Sequence, residues 1–196
     1  MTTPVYRDEK GSFLQFGGFE PSCYYDIENS PVRGHCNKSR SVEFVLQLNE
    51  KILFVEAKKT SPNLSPQDEK SLRSYIKDDC ISDFEKFISH RNLRSSFVVE
   101  IVEKFVSSFF LSMGIANGYL TDTSMPKQML EFMRKKDLKV VFLLVITDSK
   151  PDWAENISRR LQSEMGRIFP SSFIKVQAIT AEMAMKKKIV NQIYPH

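Results

Sequence analysis

Two stretches of β-forming residues, separated only by Asn49 and Glu50, constrain the fold most strongly. Residues 41–48 and residues 51–58 are both rich in valine, leucine, isoleucine and phenylalanine, and apolar and polar residues largely alternate in the first stretch. Two residues are enough to join antiparallel strands in a hairpin. We therefore predict a hairpin in which position 48 faces position 51, so that the numbers of facing residues sum to about 99.

This register brings together ionisable side chains from the two strands. Glu43 falls opposite Glu56, and Lys58 shares a face with Glu56 because side chains two residues apart in a strand point the same way. Facing carboxylates repel each other unless a positive charge lies between them. That charge is either the ammonium group of Lys58 or a divalent cation such as Mg²⁺ or Mn²⁺, which takes oxygen ligands. These three residues form the candidate site.

The rest of the chain alternates between helical and strand patterns. The apolar run Val140–Ile146 is typical of a strand buried on both faces, because no polar residue interrupts it. Longer helices are predicted after the N-cap residue Ser65, at residues 97–113, and from Pro151. The other predicted elements are a strand within residues 12–19, a short helix at residues 124–136, a strand at residues 173–179 and a C-terminal helix capped by Thr180.

This order of elements predicts a single α/β domain over residues 1–196. A hairpin is antiparallel, whereas strands reached through helices arrive parallel, so we expect a mixed central β-sheet flanked by helices. Residues 1–38 mix aromatic residues with glycine, proline and serine. We expect that segment to be irregular and residues 39–196 to form the α/β core.

Composition excludes several classes of protein. With 41% hydrophobic residues and a net charge of +4, the chain is too apolar and too weakly charged to be disordered, and the charge permits a polyanionic partner without requiring one. The apolar stretch at residues 97–115 contains Glu100, Glu103 and Lys104, so we expect no membrane span. The chain opens without an apolar leader, and its three cysteines match no zinc spacing. We therefore expect a cytoplasmic protein.

An acid on one strand and an acid-x-lysine at the end of the next carry a family resemblance. Val42-Glu43-Phe44 followed by Phe54-Val55-Glu56-Ala57-Lys58 resembles the core of the PD-(D/E)xK superfamily, the restriction-endonuclease-like nucleases. The resemblance spans residues 38–147 and is detailed only in residues 41–60. The first acid is a glutamate where aspartate is usual, and the acid often found further upstream would be Glu20 or Glu28.

The resemblance implies a restriction-endonuclease-like core and a metal-dependent endonuclease or exonuclease, with DNA favoured over RNA. It implies that Glu43, Glu56 and the carbonyl of Ala57 hold Mg²⁺ or Mn²⁺ and that Lys58 serves the attacking water. Arg40 and Lys59 flank this site and are either phosphate contacts or ordinary solvated charges.

A second interpretation assigns no catalysis to the same fold. The two glutamates and Lys58 would then form a structural ion-pair cluster in a nucleic-acid-binding or protein-assembly module. The broad apolar helix at residues 97–113 would be a dimer or partner surface. In either case, we expect a nuclease-like domain of this size to recognise a particular site only as a homodimer or within a larger complex.

Overall fold

The computed structural model describes residues 1, 3–7, 13–35, 40–58, 93–147, 149 and 151–194. Eight strands lie in this part of the chain: β1 (Val5–Arg7), β2 (Phe13–Phe16), β3 (Tyr24–Tyr25), β4 (Phe44–Leu48), β5 (Lys51–Lys58), β6 (Val140–Ile146), β7 (Ile174–Thr180) and β8 (Val190–Tyr194). The α-helices described are α1 (Pro31–His35), α2 (Leu93–Ala116), α3 (Lys127–Met133), α4 (Pro151–Met165) and α5 (Ala181–Lys186), and a 3-10 turn lies at Pro21–Cys23.

The hairpin between β4 and β5 has the predicted register. Its pairs run from Leu48 with Lys51 to Phe44 with Val55, so the residue numbers of each pair sum to 99. Asn49 and Glu50 have φ angles of 46° and 57°. Two successive residues with positive φ are typical of a type I′ turn, whose twist matches that of the flanking strands.

The main sheet has five strands in the order β3-β4-β5-β6-β7. β4 is antiparallel to both of its neighbours, β3 and β5, whereas β5, β6 and β7 are mutually parallel. The predicted α/β architecture with a mixed sheet is therefore confirmed. β6 lies between two parallel neighbours and its side chains are buried except for the partly exposed Val141, as its apolar sequence predicted.

The two faces of this sheet are covered differently. Helices α2, α3 and α4 pack on one face, where Phe54 and Phe142 meet Phe105 and Phe109 in a continuous apolar core. The opposite face packs against β2, β8 and α5. The antiparallel sheet β1-β2-β8 therefore forms a separate layer, and α2 covers the face on which the candidate site lies.

The terminal segments contribute more strands than predicted. The strand expected within residues 12–19 is β2, and it pairs with β8, which the sequence patterns did not predict. The segment expected to be irregular also supplies β3, which pairs with β4 in the main sheet. The helix predicted after Ser65 lies outside the described residues. In the described part of the chain, no helix is long and apolar enough to cross a membrane.

Candidate functional site

Strand β5 carries Glu56 and Lys58 to the face of the sheet that α2 covers. Alternation along the strand places both side chains on the same face as Phe54, which packs into the helix-side core. Glu56 is 0% exposed, whereas Lys58, at the strand end, is 29% exposed. A fully buried carboxylate is costly unless it is paired or hydrogen-bonded, so its neighbours decide what it can do.

Lys104 on α2 is the strongest partner of Glu56. Its Nζ donates to Glu56 Oε1 at 2.5 Å, and the Lys104 side chain is only 13% exposed. The other oxygen, Glu56 Oε2, is buried and has no hydrogen-bond partner among the residues that the structure describes. One oxygen of this carboxylate is therefore neutralised by the chain itself, while the second remains able to accept a ligand.

Lys58 is held by a different carboxylate. Its Nζ lies 3.0 Å from Glu100 Oε1 and 3.8 Å from Glu56 Oε1. Arg40 approaches Glu100 and Glu103 at 3.9 Å each. Glu100, Glu103 and Lys104 share one face of α2, since residues three and four apart are neighbours on a helix. The charged face of α2 therefore closes over the end of β5.

Glu43 lies immediately before β4, and extending the hairpin register places it opposite Glu56. The amide of the preceding residue, Val42, donates to the buried Ser108 Oγ on α2 at 2.9 Å, which anchors this segment beneath the helix. Burial, together with the negative charges of Glu56 and Glu28, raises the pKa of Glu43 from 4.5 to about 9. Glu43 and Glu56, two of the predicted site residues, are thus close enough for the charge of one to affect the pKa of the other.

The structure brings Glu28, and not Glu20, to this group. Glu28 is close enough to Glu43 for its carboxylate to contribute to the raised pKa of Glu43. Glu28 also pairs with Arg33, whose Nη1 lies 3.6 Å from Glu28 Oε1. Glu20 is exposed just before the 3-10 turn and takes part in none of the contacts described for Glu43 and Glu56.

The protonation of the group follows from burial and from the two lysines. Burial raises the pKa of Glu56 to about 7, although the charges of Lys104 and Lys58 oppose the rise. Burial also acts on Glu100, but the hydrogen bond and charge of Lys58 outweigh it and lower the pKa of Glu100. Conversely, Glu100, Glu56 and Glu43 raise the pKa of Lys58 against the effect of burial. Lys58 is therefore an ammonium ion at neutral pH.

The donor atoms suit a hard divalent cation. Thr147 N donates to the Lys58 carbonyl at 3.0 Å, so the backbone groups of Lys58 face β6. Because the backbone groups of successive strand residues point to opposite sides, the Ala57 carbonyl faces the β4 side of the strand. That carbonyl, Glu56 Oε2 and the Glu43 carboxyl are oxygen donors. Among the described residues, no three His, Cys, Asp or Glu side chains are grouped to hold a metal ion. Mg²⁺ often uses only one or two carboxylates together with waters and substrate phosphates, so the residues present fit it.

Sequence reasoning found the strand residues and missed the helix residues. Lys104 and Glu100 bind the two predicted residues Glu56 and Lys58, yet they lie more than forty positions away in the chain. The available signal was the interruption of an apolar helix by three charges on one face. Lys59, the second predicted phosphate contact, lies outside the described residues.

Comparison with known proteins provides no relative. No protein-family model, no curated protein and no solved structure matches this chain. The case for a function therefore rests on the residues of this site and on their geometry.

Proposed function

We propose that this chain is a divalent-metal-dependent nuclease that hydrolyses phosphodiester bonds, with DNA favoured over RNA as its substrate. The observation that carries the proposal is Glu56 Oε2, which is buried near Glu43 at the strand end that bears Lys58 and has no hydrogen-bond partner in the described part of the chain. Stability does not require a carboxylate there, since apolar residues of similar volume replace buried ion pairs without loss in many proteins.

The architecture supports the same proposal. A hairpin carries one acid before its first strand and an acid-x-lysine on its second, and β6 returns parallel to β5 after α2. That is the order of elements implied by the resemblance to the PD-(D/E)xK nucleases. The restriction-endonuclease-like core is part of this proposal.

Each side chain has a role that follows from its surroundings. A bound Mg²⁺ or Mn²⁺ would polarise the scissile phosphate and lower the pKa of a coordinated water. Glu43, Glu56 and the Ala57 carbonyl would hold that ion. Lys58, kept protonated by Glu100, neutralises negative charge that develops on the phosphate and does not act as a base. Arg40, more than half exposed, is placed to contact a neighbouring phosphate.

The alternative is a non-catalytic nucleic-acid-binding or assembly module. The observation that favours it is the short ion pair between Lys104 and Glu56, which already compensates one buried carboxylate oxygen. Under this alternative, the site needs no metal ion, and Glu43, Glu56, Lys58 and Lys104 only hold α2 on the sheet.

A metal titration coupled to a cleavage assay separates the two functions. We expect Mn²⁺ to raise the melting temperature and to support cleavage of single- or double-stranded DNA. Glu56→Gln should abolish both effects, and Lys58→Met should abolish cleavage while keeping the Mn²⁺-dependent shift. Glu155→Gln, at an exposed position of α4, is the matched control and should change neither. No Mn²⁺-dependent shift together with no cleavage of any DNA or RNA would leave the structural module as the function.

A cytoplasmic location and assembly as a homodimer or within a larger complex remain predictions. Light scattering with and without DNA measures the assembly. A monomer that cleaves DNA without sequence preference would remove the reason for expecting a dimer.

A further inference from the structure

A cavity of about 240 Å³ opens beside the candidate site, between β3 and β4 of the main sheet and β1 and β2 of the small sheet. Glu43 and Glu28 contribute to its wall, so the cavity is continuous with the group of carboxylates described above. Whatever fills it lies against Glu43, one of the residues proposed to hold the metal ion, although the aromatic part of the cavity is on the small-sheet face and Glu56 and Lys58 are on the face that α2 covers.

Aromatic rings form another part of the cavity wall. Tyr6 and Tyr24 are half-buried, and Phe16 and Phe44 are buried. The Tyr24 ring lies 5.4 Å from the Phe44 ring and stacks at 6.3 Å on Phe19, measured between centroids. These contacts hold Tyr24 in one orientation, so a flat ligand would meet a fixed aromatic surface at little conformational cost.

The polar part of the cavity offers hydrogen-bond acceptors, and Asp26 and Glu28 give it negative charge. Asp26, which is fixed by hydrogen bonds from the Asn29 amide and side chain, lines the cavity together with Glu28 and Glu43. No lysine or arginine is among the described residues that line it. A phosphate would be repelled there, whereas a planar group with N–H donors would be accepted.

We infer that this cavity binds an unpaired cytosine or adenine base, in the nucleotide next to the scissile phosphate. The inference rests on the proposed nuclease function. Charge sets the orientation of the substrate: the phosphate lies toward Lys58 and Arg40, and the base enters between Tyr24 and the carboxylates. A base within a duplex cannot enter, because its faces are stacked and its pairing edge is occupied. The substrate is therefore single-stranded or locally unpaired.

The carboxylates select among the bases. Cytosine and adenine present an amino group where thymine presents a carbonyl oxygen. The carbonyl oxygen of thymine would be repelled by the carboxylate of Asp26 or Glu28, whereas the amino group of cytosine or adenine would donate to it. Cytosine and adenine therefore bind, and thymine is disfavoured. Recognition by stacking on aromatic rings combined with hydrogen bonds to the pairing edge is common for splayed-out bases.

Nucleosides test this inference without phosphate or metal. In an NMR titration of the full-length chain in EDTA, we expect deoxycytidine and deoxyadenosine to bind at least about tenfold more tightly than thymidine. Tyr24→Leu should weaken that binding about tenfold through lost stacking, while Tyr24→Phe should retain it. Tyr119→Leu, at a position 86% exposed on another part of the surface, should have no effect.

The outcomes separate this inference from the proposed function. Equal binding of the three nucleosides, absence of saturable binding, or an unchanged affinity in Tyr24→Leu overturns the inference even if Mn²⁺-dependent cleavage is found. Nα-acetyl-lysine amide keeps a charged side-chain ammonium group. If it binds more tightly than any nucleoside, the cavity is a site for an organic cation and the inference is overturned. Selective nucleoside binding without Mn²⁺-dependent cleavage supports the base site and removes the nuclease function.

Discussion

The helix-facing side of β5 lies in two contrasting environments. At one end, Ile52 and Phe54 are fully buried among apolar side chains. Two residues further along, Glu56 is equally buried but is bound to Lys104, and Lys58 beyond it is bound to Glu100. The same strand, under the same helix, therefore changes from an apolar core to a cluster of charges.

This contrast shows which part of the strand stabilises the fold and which part does not. Burying apolar side chains is favourable in proportion to their area, so the Ile52 end of the strand stabilises the sheet directly. Burying Glu56 requires desolvation, which its pairing with Lys104 offsets only in part. The apolar end of β5 is therefore explained by folding, and the charged end is where we propose that a metal ion binds.

The largest expected effect is at the apolar end. Phe54→Ala removes a ring that lies 5.3 Å from Phe142 and 6.0 Å from Phe109, between centroids. We expect the free energy of unfolding to fall by about 3–5 kcal/mol, at every pH at which the chain folds. Urea denaturation measures it, with the exposed Tyr119→Ala as a control that should change stability by less than about 0.5 kcal/mol. Equal losses in the two variants would mean that Phe54 is not packed as described.

Removing the cation at the charged end should cost somewhat less and should depend on pH. Lys104→Met leaves Glu56 buried without its strongest partner, so we expect a loss of about 3 kcal/mol at pH 8. The loss should shrink at pH 6, because the pKa of Glu56 is raised to about 7 and a protonated carboxyl is cheaper to bury.

The control for this change is a double variant in EDTA. Glu56→Leu combined with Lys104→Met replaces the ion pair by apolar side chains and should restore most of the lost stability. If the two single losses instead add in the double variant, the side chains do not interact and the ion pair is not a unit.

The register of β5 and the direction of its side chains were predictable from sequence, whereas the partners of its charged residues were not. The register of β4 and β5 followed from the two turn residues Asn49 and Glu50, because a two-residue turn leaves one pairing. The alternation of β5 then placed Glu56 and Lys58 on one face. These are local properties, and local patterns determine them.

The partners of the charged residues depend on tertiary packing. Lys104 meets Glu56 only because α2 crosses the sheet over the end of β5, and no pattern within α2 specifies that position. The pairing of β2 with β8 joins the two ends of the chain and is equally non-local. Periodicity predicts which face of an element is buried, but the partner that it meets depends on the whole fold.

The last expected effect is a slope rather than a loss at one pH, namely the pH dependence of stability without metal. The pKa values of Glu43 and Glu56 are raised to about 9 and about 7 in the folded chain, from an ordinary value of 4.5. Between these limits, these two side chains bind more protons in the folded state than in the unfolded state, so their contribution to stability is fully present below pH 4.5 and is lost as pH rises toward 9. The slope is at most about 1.4 kcal/mol per pH unit for each extra proton held.

The variant Glu43→Gln tests whether Glu43 causes this slope. Because the pKa of Glu56 is the lower of the two, the fall in stability above pH 7 belongs mainly to Glu43. The variant should therefore flatten the urea-denaturation free energy between pH 7 and 9, while Phe54→Ala should shift the whole curve without changing its slope. An unchanged slope in Glu43→Gln would mean that Glu43 is ionised in the folded chain. In that case the carboxylates at the charged end of β5 do not share protons, and Lys104 and Lys58 alone offset their repulsion.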